Sequence, residues 1–333
     1  MNAPFLSIVV PCYNEEPCLA ELHKRLSAVA RGVAGDAYEI VLVNDGSRDA
    51  SWAIIEGLAQ RDPRLVGINL SRNHGHQLAL TAGLDLCAGE RILVIDADLQ
   101  DPPELLPEMI ATMEREQADV VFGVRRARAG ETAFKRATAS VFYRLLSRLA
   151  ETTIPRDAGD FRLLSRRALD AFLSLPEQAR FIRGMVAWIG FRQVPIAYDR
   201  AERTAGETKY PLSKMVRLAL DAVTGFSVAP LRLASHIGLG LFAASLLLLI
   251  YIAYAYLSGR TIQGWTSLML VVVVLGAVQM FVLGMIGEYL GRLFTEVKRR
   301  PLYIVSEIAG RVEGTPTLGH VADGAPSRTP TAD

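Results

Sequence analysis

Short β-branched runs and amphipathic stretches alternate along the first 125 or so residues. Leu6–Val10 stops at Pro11, Glu39–Val43 at Asn44-Asp45-Gly46, Arg91–Ile95 at Asp96 and Asp119–Phe122 at Gly123, with Leu65–Leu70 between the second and third. Helical periodicity fills the gaps, over Glu15–Ala30, Ala50–Arg61, His76–Ala88 and Pro103–Glu116. Near-continuous apolar strands alternating with helices predict an α/β domain, a mostly parallel sheet with helices on both faces. Ligands of such sheets bind beyond the carboxyl ends of the strands. Here those ends carry Tyr13, Asn14, Glu15, Asp45, Asp96 and Asp98.

Further along, the polar residues drop out. Arg232 and Arg260 bracket 27 residues without Asp, Glu, Lys or Arg, and Arg260 and Glu288 bracket another 27. A bilayer core needs roughly 20 apolar residues in a helix, so two transmembrane helices are expected, at about 236–257 and 266–288. The connection between them carries only Arg260, whereas Lys209, Lys214, Arg217 and Arg232 precede the pair and Arg292, Lys298, Arg299 and Arg300 follow it. Positive residues stay cytoplasmic, which predicts a multi-pass hairpin with the α/β domain and both termini in the cytoplasm. Lys214–Ser235 alternates basic and apolar residues, so 211–235 reads as amphipathic helices at the membrane surface, in contact with membrane lipid. The domain plan is therefore a cytoplasmic domain over 1–210, these helices, the hairpin over 236–290, a basic segment over 291–310 and a disordered tail over 311–333. Gly276 and the run Gly284-x-x-Gly287-x-x-x-Gly291 offer small faces for helix packing, including in a homo-oligomer.

Composition adds two exclusions. A formal net charge of +1 lacks the basic surplus that a nucleic-acid binder needs. Three cysteines, Cys12, Cys18 and Cys87, show no C-x-x-C spacing, which points to unpaired thiols in a reducing compartment rather than a zinc site or a disulfide framework.

The obvious occupant of such a sheet is a dinucleotide, yet the first strand runs into Pro-Cys-Tyr-Asn-Glu-Glu and not into a Gly-rich turn. The ligand must be held by another device. Asp96-Ala97-Asp98, followed by Gln100, places two carboxylates and an amide oxygen in one loop at a strand end. That donor set suits a hard divalent cation, Mg²⁺ or Mn²⁺, that also grips phosphates.

Taken together, Val10-Pro11-Cys12-Tyr13-Asn14-Glu15, Asn44-Asp45-Gly46-Ser47-Arg48-Asp49, Arg72-Asn73-x-Gly75 and Asp96-Ala97-Asp98-Leu99-Gln100-Asp101-Pro102-Pro103-Glu104 resemble the family 2 inverting glycosyltransferases. More narrowly they resemble the polyprenyl-phosphate glycosyltransferases, and the hairpin with Glu296–Pro301 is similar to the bacterial bactoprenol branch. The resemblance implies a GT-A-type fold, a nucleotide-diphosphate sugar as donor and undecaprenyl (polyprenyl) phosphate as acceptor, at a bacterial inner membrane. It implies that Pro11, Tyr13, Glu15 and Asp45 hold base and ribose, that Asp96 reaches the ribose or metal side, and that Asp98 and Gln100 ligate the ion. Arg203 and Lys209 correspond to a loop closing over the diphosphate, with Thr208 in place of the family's Ser, and Arg125, Arg136 and Ser140 to acceptor-phosphate ligands. Asp160, in Gly159-Asp160-Phe161-Arg162-Leu163, matches the candidate catalytic acid. A phosphate monoester is largely dianionic near neutrality and scarcely needs a base, so Asp160 has two open roles: base, or group that orients a substrate.

UDP-glucose is the first expectation for the donor, with GDP-mannose, UDP-N-acetylhexosamines and a formylated aminoarabinose donor left open. A processive polysaccharide synthase would carry a Q-x-x-R-W segment, which Gln178-Ala179-Arg180-Phe181 does not supply. A membrane scaffold without catalysis would have no use for intact Asp96, Asp98, Gln100 and Arg203.

Overall fold

The protein is described by a computed structural model covering residues 3–125, 158–199, 229–258 and 264–310. Arg136, Ser140, Arg203 and Lys209, expected around the substrates, lie outside these residues, as do the tail and 211–228. Two compact units result, one holding the described residues up to 199 together with 300–310, the other holding those from 229 to 299.

In the first unit the strands are β1 (Leu6–Cys12), β2 (Tyr38–Asn44), β3 (Leu65–Leu70), β4 (Arg91–Val94), β5 (Val120–Arg125), β6 (Ala158–Ser165), β7 (Gln193–Tyr198) and β8 (Val305–Ala309). The helices α1 (Leu19–Ala34), α2 (Ser51–Arg61) and α3 (His76–Leu86) connect the first four, and α4 (Leu106–Arg115) leads to β5. Two short helices, α5 (Arg166–Leu173) and α6 (Ile182–Trp188), lie between β6 and β7. All eight strands join one sheet in the order β7-β5-β6-β4-β1-β2-β3-β8. Pairing is parallel except where β6 enters between β4 and β5 and where β8 borders β3.

The period of two along each strand decides which helix it meets. Leu6, Ile8, Val10, Ile40 and Leu42 share a core with Leu19, Leu22 and Leu26 of α1. The alternate residues Val9, Val41 and Val43 face α3, where any side chain at Gly83 would run into Val9 and Val43. Both faces are thus covered, as the continuous apolar runs predict, and each buried Leu contributes about 1.5–3 kcal/mol. The three cysteines are buried and unpaired.

From β1 the chain steps outward through β2 to β3, then returns to place β4 on the other side of β1. Strand order reverses at that point, and a crevice opens between the carboxyl ends of β1 and β4. Tyr13 follows the first of these strands and Asp96 the second.

The post-hairpin segment differs from expectation. Rather than one basic stretch over 291–310, helix runs through Lys298, and Val305–Ala309 pairs antiparallel with β3. Ser71 N–H donates to Ile304 O at 2.9 Å, Ser306 Oγ donates to Asn69 O at 3.1 Å, and the Tyr303 hydroxyl donates to Asp85 Oδ2 on α3 at 2.8 Å. The reason is elementary: β3 would otherwise be an edge with unpaired backbone groups.

The second unit is described by itself. Helix α7 (Ala229–Leu257) has 29 residues and α8 (Trp265–Lys298) has 34, and the two pack against each other. Each is longer than the roughly 20 residues needed to span a bilayer. Within α8, Val274–Lys298 is long and apolar enough to cross a membrane, and none of it is buried. Helix α7 already begins at Ala229, so 229–235 continues into the apolar stretch instead of forming a separate element.

Burial pushes the Asp85 carboxyl above its usual range, and the Tyr303 hydroxyl is its donor. Tyr303→Phe removes that donor and is expected to lower unfolding stability by about 1–3 kcal/mol. A denaturation midpoint equal to wild type would show that the tie of this segment to α3 contributes nothing.

Candidate active site

Four loops meet at the crevice. Pro11 is still within β1, and the loop after that strand carries Tyr13 and Glu15; it is sewn to the chain after β2 by side chains bonded to backbone. Asn14 N–H donates to Ser47 Oγ at 2.9 Å, Arg48 N–H to Asn14 Oδ1 at 2.9 Å and Glu15 N–H to Ser51 Oγ at 3.0 Å. Asn14 has φ 55°, a left-handed turn that suits Asn, and Tyr13 beside it is exposed.

Asp45, at the end of β2, is buried. It accepts from the backbone N–H of His74 at 2.7 Å and of Gly75 at 2.9 Å. The residue expected to hold base or ribose therefore also holds the loop that opens α3. Gly46 sits directly on this loop: its φ is 63°, and a Cβ there would lie 2.5 Å from the Arg72 carbonyl carbon. Only glycine meets both conditions.

The loop after β4 carries the acidic motif. Asp98 Oδ1 accepts from Gln100 N–H at 3.1 Å, and Leu99 takes φ 58° to close the turn. Asp98 and Gln100 remain partly accessible, whereas Asp101 turns inward and accepts from the Tyr198 hydroxyl at 2.5 Å. Arg125, expected at the acceptor phosphate, lies at the end of β5, and its charge acts on the same tyrosine.

Asp96 and Asp160 come together around a residue that no motif singled out. Asp160 lies near the start of β6, and His76 opens α3. The His76 Nε2 lies 3.0 Å from Asp160 Oδ2 and 3.7 Å from Asp96 Oδ1. Arg183 on α6 donates to both oxygens of Asp160, at 2.7 and 3.0 Å, and Arg162 approaches to 3.9 Å. Burial alone would raise Asp160, but the hydrogen bonds from His76 and Arg183 and the charges of Arg183 and Arg162 outweigh it and hold the carboxyl far below its usual range. An ionised carboxylate only accepts, so the His76 Nε2 carries the proton in this contact.

Asp96 has the opposite fate. Burial first, then the charges of Asp160, Asp101 and Asp98, push it up to about 6 against the pull of His76. Its Oδ1 is buried and has no hydrogen-bond partner among the described residues. Such an oxygen in an acidic crevice suits a cation, and the ligand atoms of His76, Asp96 and Asp160 lie within 4.8 Å of one another. Asp160 is already committed to an arginine, which favours the oxygen-rich side formed by Asp96 and the Asp98–Gln100 turn for Mg²⁺ or Mn²⁺. A separate polar cavity of about 410 Å³ at the opposite strand ends, bounded in part by Arg91, Asp119 and Arg167, contains none of these groups.

Residues 7–173 match glycosyl transferase family 2, and residues 229–293 match the GtrB C-terminal hairpin. The chain belongs to glycosyl transferase family 2. It is 48% identical over 305 residues to the uncharacterized glycosyltransferase YkcC of Bacillus subtilis (strain 168), covering 91% of this chain and 94% of that one. It is 38% identical over 307 residues to the prophage bactoprenol glucosyl transferase homolog of Escherichia coli (strain K12), covering 91% and 99%. Among solved structures, glucosyl-3-phosphoglycerate synthase from Mycobacterium tuberculosis in complex with Mn²⁺, UDP and glucosyl-3-phosphoglycerate has a TM-score of 0.45 at 22% identity, covering 66% of this chain and 78% of that one. The family expected from the four motifs is the family found, and the chain is a glycosyltransferase. In this family 2 enzyme the matched segment runs from β1 to α5, so it contains His76, Asp96, Asp98 and Asp160 but neither Arg183 nor Tyr198.

Asp160 makes the transferase's stability depend on pH in a definite direction. Above the ordinary carboxylate range its ion pairs contribute in full; as pH falls below about 4, the unfolded chain takes up the proton first and that contribution is lost. Asp160→Asn is expected to lower the thermal midpoint near pH 7 and to flatten its decline between about pH 5 and 3. Parallel declines in the two proteins would contradict an ionised Asp160 in the folded state.

Proposed function

We propose that this glycosyltransferase moves one sugar, glucose from UDP-glucose, to the phosphate of undecaprenyl or a related polyprenyl phosphate, with inversion and with a divalent ion. The observation that carries this reading is the acidic crevice at the strand-order reversal, where Asp96 presents a buried oxygen without a donor beside the Asp98–Gln100 turn. The acceptor is supported by the hairpin match over 229–293, by the relative of Shigella phage SfII named bactoprenol glucosyl transferase, at 39% identity, and by the prophage homolog of Escherichia coli at 38%.

In this reading Pro11, Tyr13, Glu15 and Asp45 hold the nucleoside, and Arg203 and Lys209 close on its diphosphate. Asp96, Asp98 and Gln100 hold Mg²⁺ or Mn²⁺, which supplies charge neutralisation for the departing diphosphate. Arg125, Arg136 and Ser140 orient the acceptor phosphate. Its oxygen bonds to the anomeric carbon as the bond from that carbon to the UDP oxygen breaks. Near neutrality the acceptor is already anionic, so no side chain has to remove a proton.

The lipid acceptor accounts for the apolar helices. A hairpin formed by α7 and α8 would span the inner membrane with both ends cytoplasmic, and the basic residues around Lys214–Ser235 and Lys298–Arg300 would lie at headgroup level. Self-association through the glycine faces of α8 belongs to the same proposal.

The test is transfer of radiolabelled sugar from a panel of nucleotide sugars to undecaprenyl phosphate in membranes containing the protein. Asp98→Ala and excess chelator are each expected to cut transfer by about 10²–10³-fold or more. Transfer at the wild-type rate under either condition overturns the metal site, and a product built from another sugar replaces glucose.

A further inference from the structure

Asp160 has the position of a proton acceptor but not the surroundings of one. Its side chain is 5% exposed. Oδ1 accepts from Arg183 Nε at 2.7 Å and lies 3.9 Å from Arg162 Nη2. Oδ2 accepts from Arg183 Nη2 at 3.0 Å and lies 3.0 Å from His76 Nε2, with Gln77 Nε2 at 3.5 Å. A carboxylate has about four lone-pair sites, and five polar groups converge on these. A base needs a lone pair aimed at the proton it removes; here the lone pairs are aimed at cations and fixed donors.

The groups around Asp160 are themselves well placed for another task. Arg183 pairs with Asp160 through its inner edge, while 36% of its side chain is exposed. The His76 imidazole, 43% exposed, stands between Asp160 and Asp96. A bidentate carboxylate contact fixes the plane of a guanidinium, so Asp160 determines where the accessible part of Arg183 points. That partly exposed cation lies where α6 packs against β6, beside Asp160 and the His76 that reaches Asp96. A transferase acting on a nucleotide diphosphate and a phosphate has anions to place there.

We propose that Asp160 is an ionised anchor rather than a base, and that Arg183, aimed by it, is a phosphate-contacting residue of the transfer reaction. His76 is a positioning residue of the same unit, locked between Asp160 and Asp96. The inference rests on the transferase reading above. Its ligand class is a phosphate group, carried either by the donor diphosphate or by the lipid acceptor. No bond is made or broken at Asp160, and no proton has to move through it.

The experiment measures kcat and both KM values for the full-length protein in membranes, comparing wild type with Arg183→Ala, Arg183→Lys, Asp160→Asn and the Arg183→Ala/Asp160→Asn double variant. Loss of Arg183 is expected to raise one KM by about 10–100-fold, the size of one charge-assisted hydrogen bond. The donor KM moves if the contact is to the diphosphate, and the acceptor KM if it is to the lipid phosphate. Arg183→Lys keeps a cation beside the buried carboxylate but loses the bidentate fork, so it is expected to restore stability while leaving the KM raised, which separates substrate contact from a folding defect. Because the two residues act as one unit, the double variant should be no worse than the worse single variant. A cooperative thermal unfolding transition, followed separately, shows that each variant is folded.

Independent, multiplying losses in the double variant would overturn the proposal. So would an Arg183→Ala enzyme as fast as or faster than wild type while Asp160→Asn is inactive, because releasing a true base from its arginine should help it. A wild-type protein that transfers no sugar to polyprenyl phosphate would instead bring down the transferase-to-lipid reading and this inference with it.

Discussion

A buried carboxylate must find donors, and Asp45 finds them in the backbone of the loop that opens α3. Much of the crevice follows from that pair of contacts. They seat the loop with its Arg72–Asn73 backbone against Gly46, where there is no room for a side chain. With the loop seated, His76 starts its helix within reach of Asp160, and Asp160 in turn fixes Arg183. One acid holds a loop, the loop delivers an imidazole, and the imidazole meets a second acid from a strand far away in sequence. Asp45 can contribute to nucleoside binding and still owe its placement to this architectural task.

The fold was largely legible because its signals are local. Strand ends at Pro11, Asp45, Asp96 and Gly123 are punctuated by residues that end strands for backbone reasons, and the observed strands stop within a few positions of them. The entry of β6 between β4 and β5 was not legible, since an antiparallel insertion depends on long-range pairing and leaves no periodicity of its own. Strand β8 was hidden for a related reason: Val305–Ala309 is a short run after a basic stretch, and only the exposed edge of β3 explains its use.

Within the site, motif residues surfaced and their partners did not. Asp96, Asp98 and Asp160 could be picked out by type and position. His76 was next to a recognised motif, one residue beyond Arg72-Asn73-x-Gly75, yet a histidine at a helix start reads as ordinary. Arg183 carries no local signal at all, because its meaning lies in two contacts from α6 to Asp160 of β6. The same contrast explains why two acids a few ångströms apart behave oppositely. Asp160 is surrounded by cations and stays ionised, while Asp96 is pushed up to about 6 by burial first and then by Asp160, Asp101 and Asp98, against the pull of His76. A net charge of +1 records neither fact.

The two edges of the sheet are β7 and β8, and both apolar helices lie between them in the chain. The hairpin is thus an insertion into the enzyme domain and not an appendage to it. A ribosome delivers β7 first, then α7 and α8, and only afterwards the strand that covers β3. The catalytic sheet therefore completes its hydrogen bonding only after both apolar helices have emerged, so its last strand is added at the end of synthesis and not with the rest of the domain.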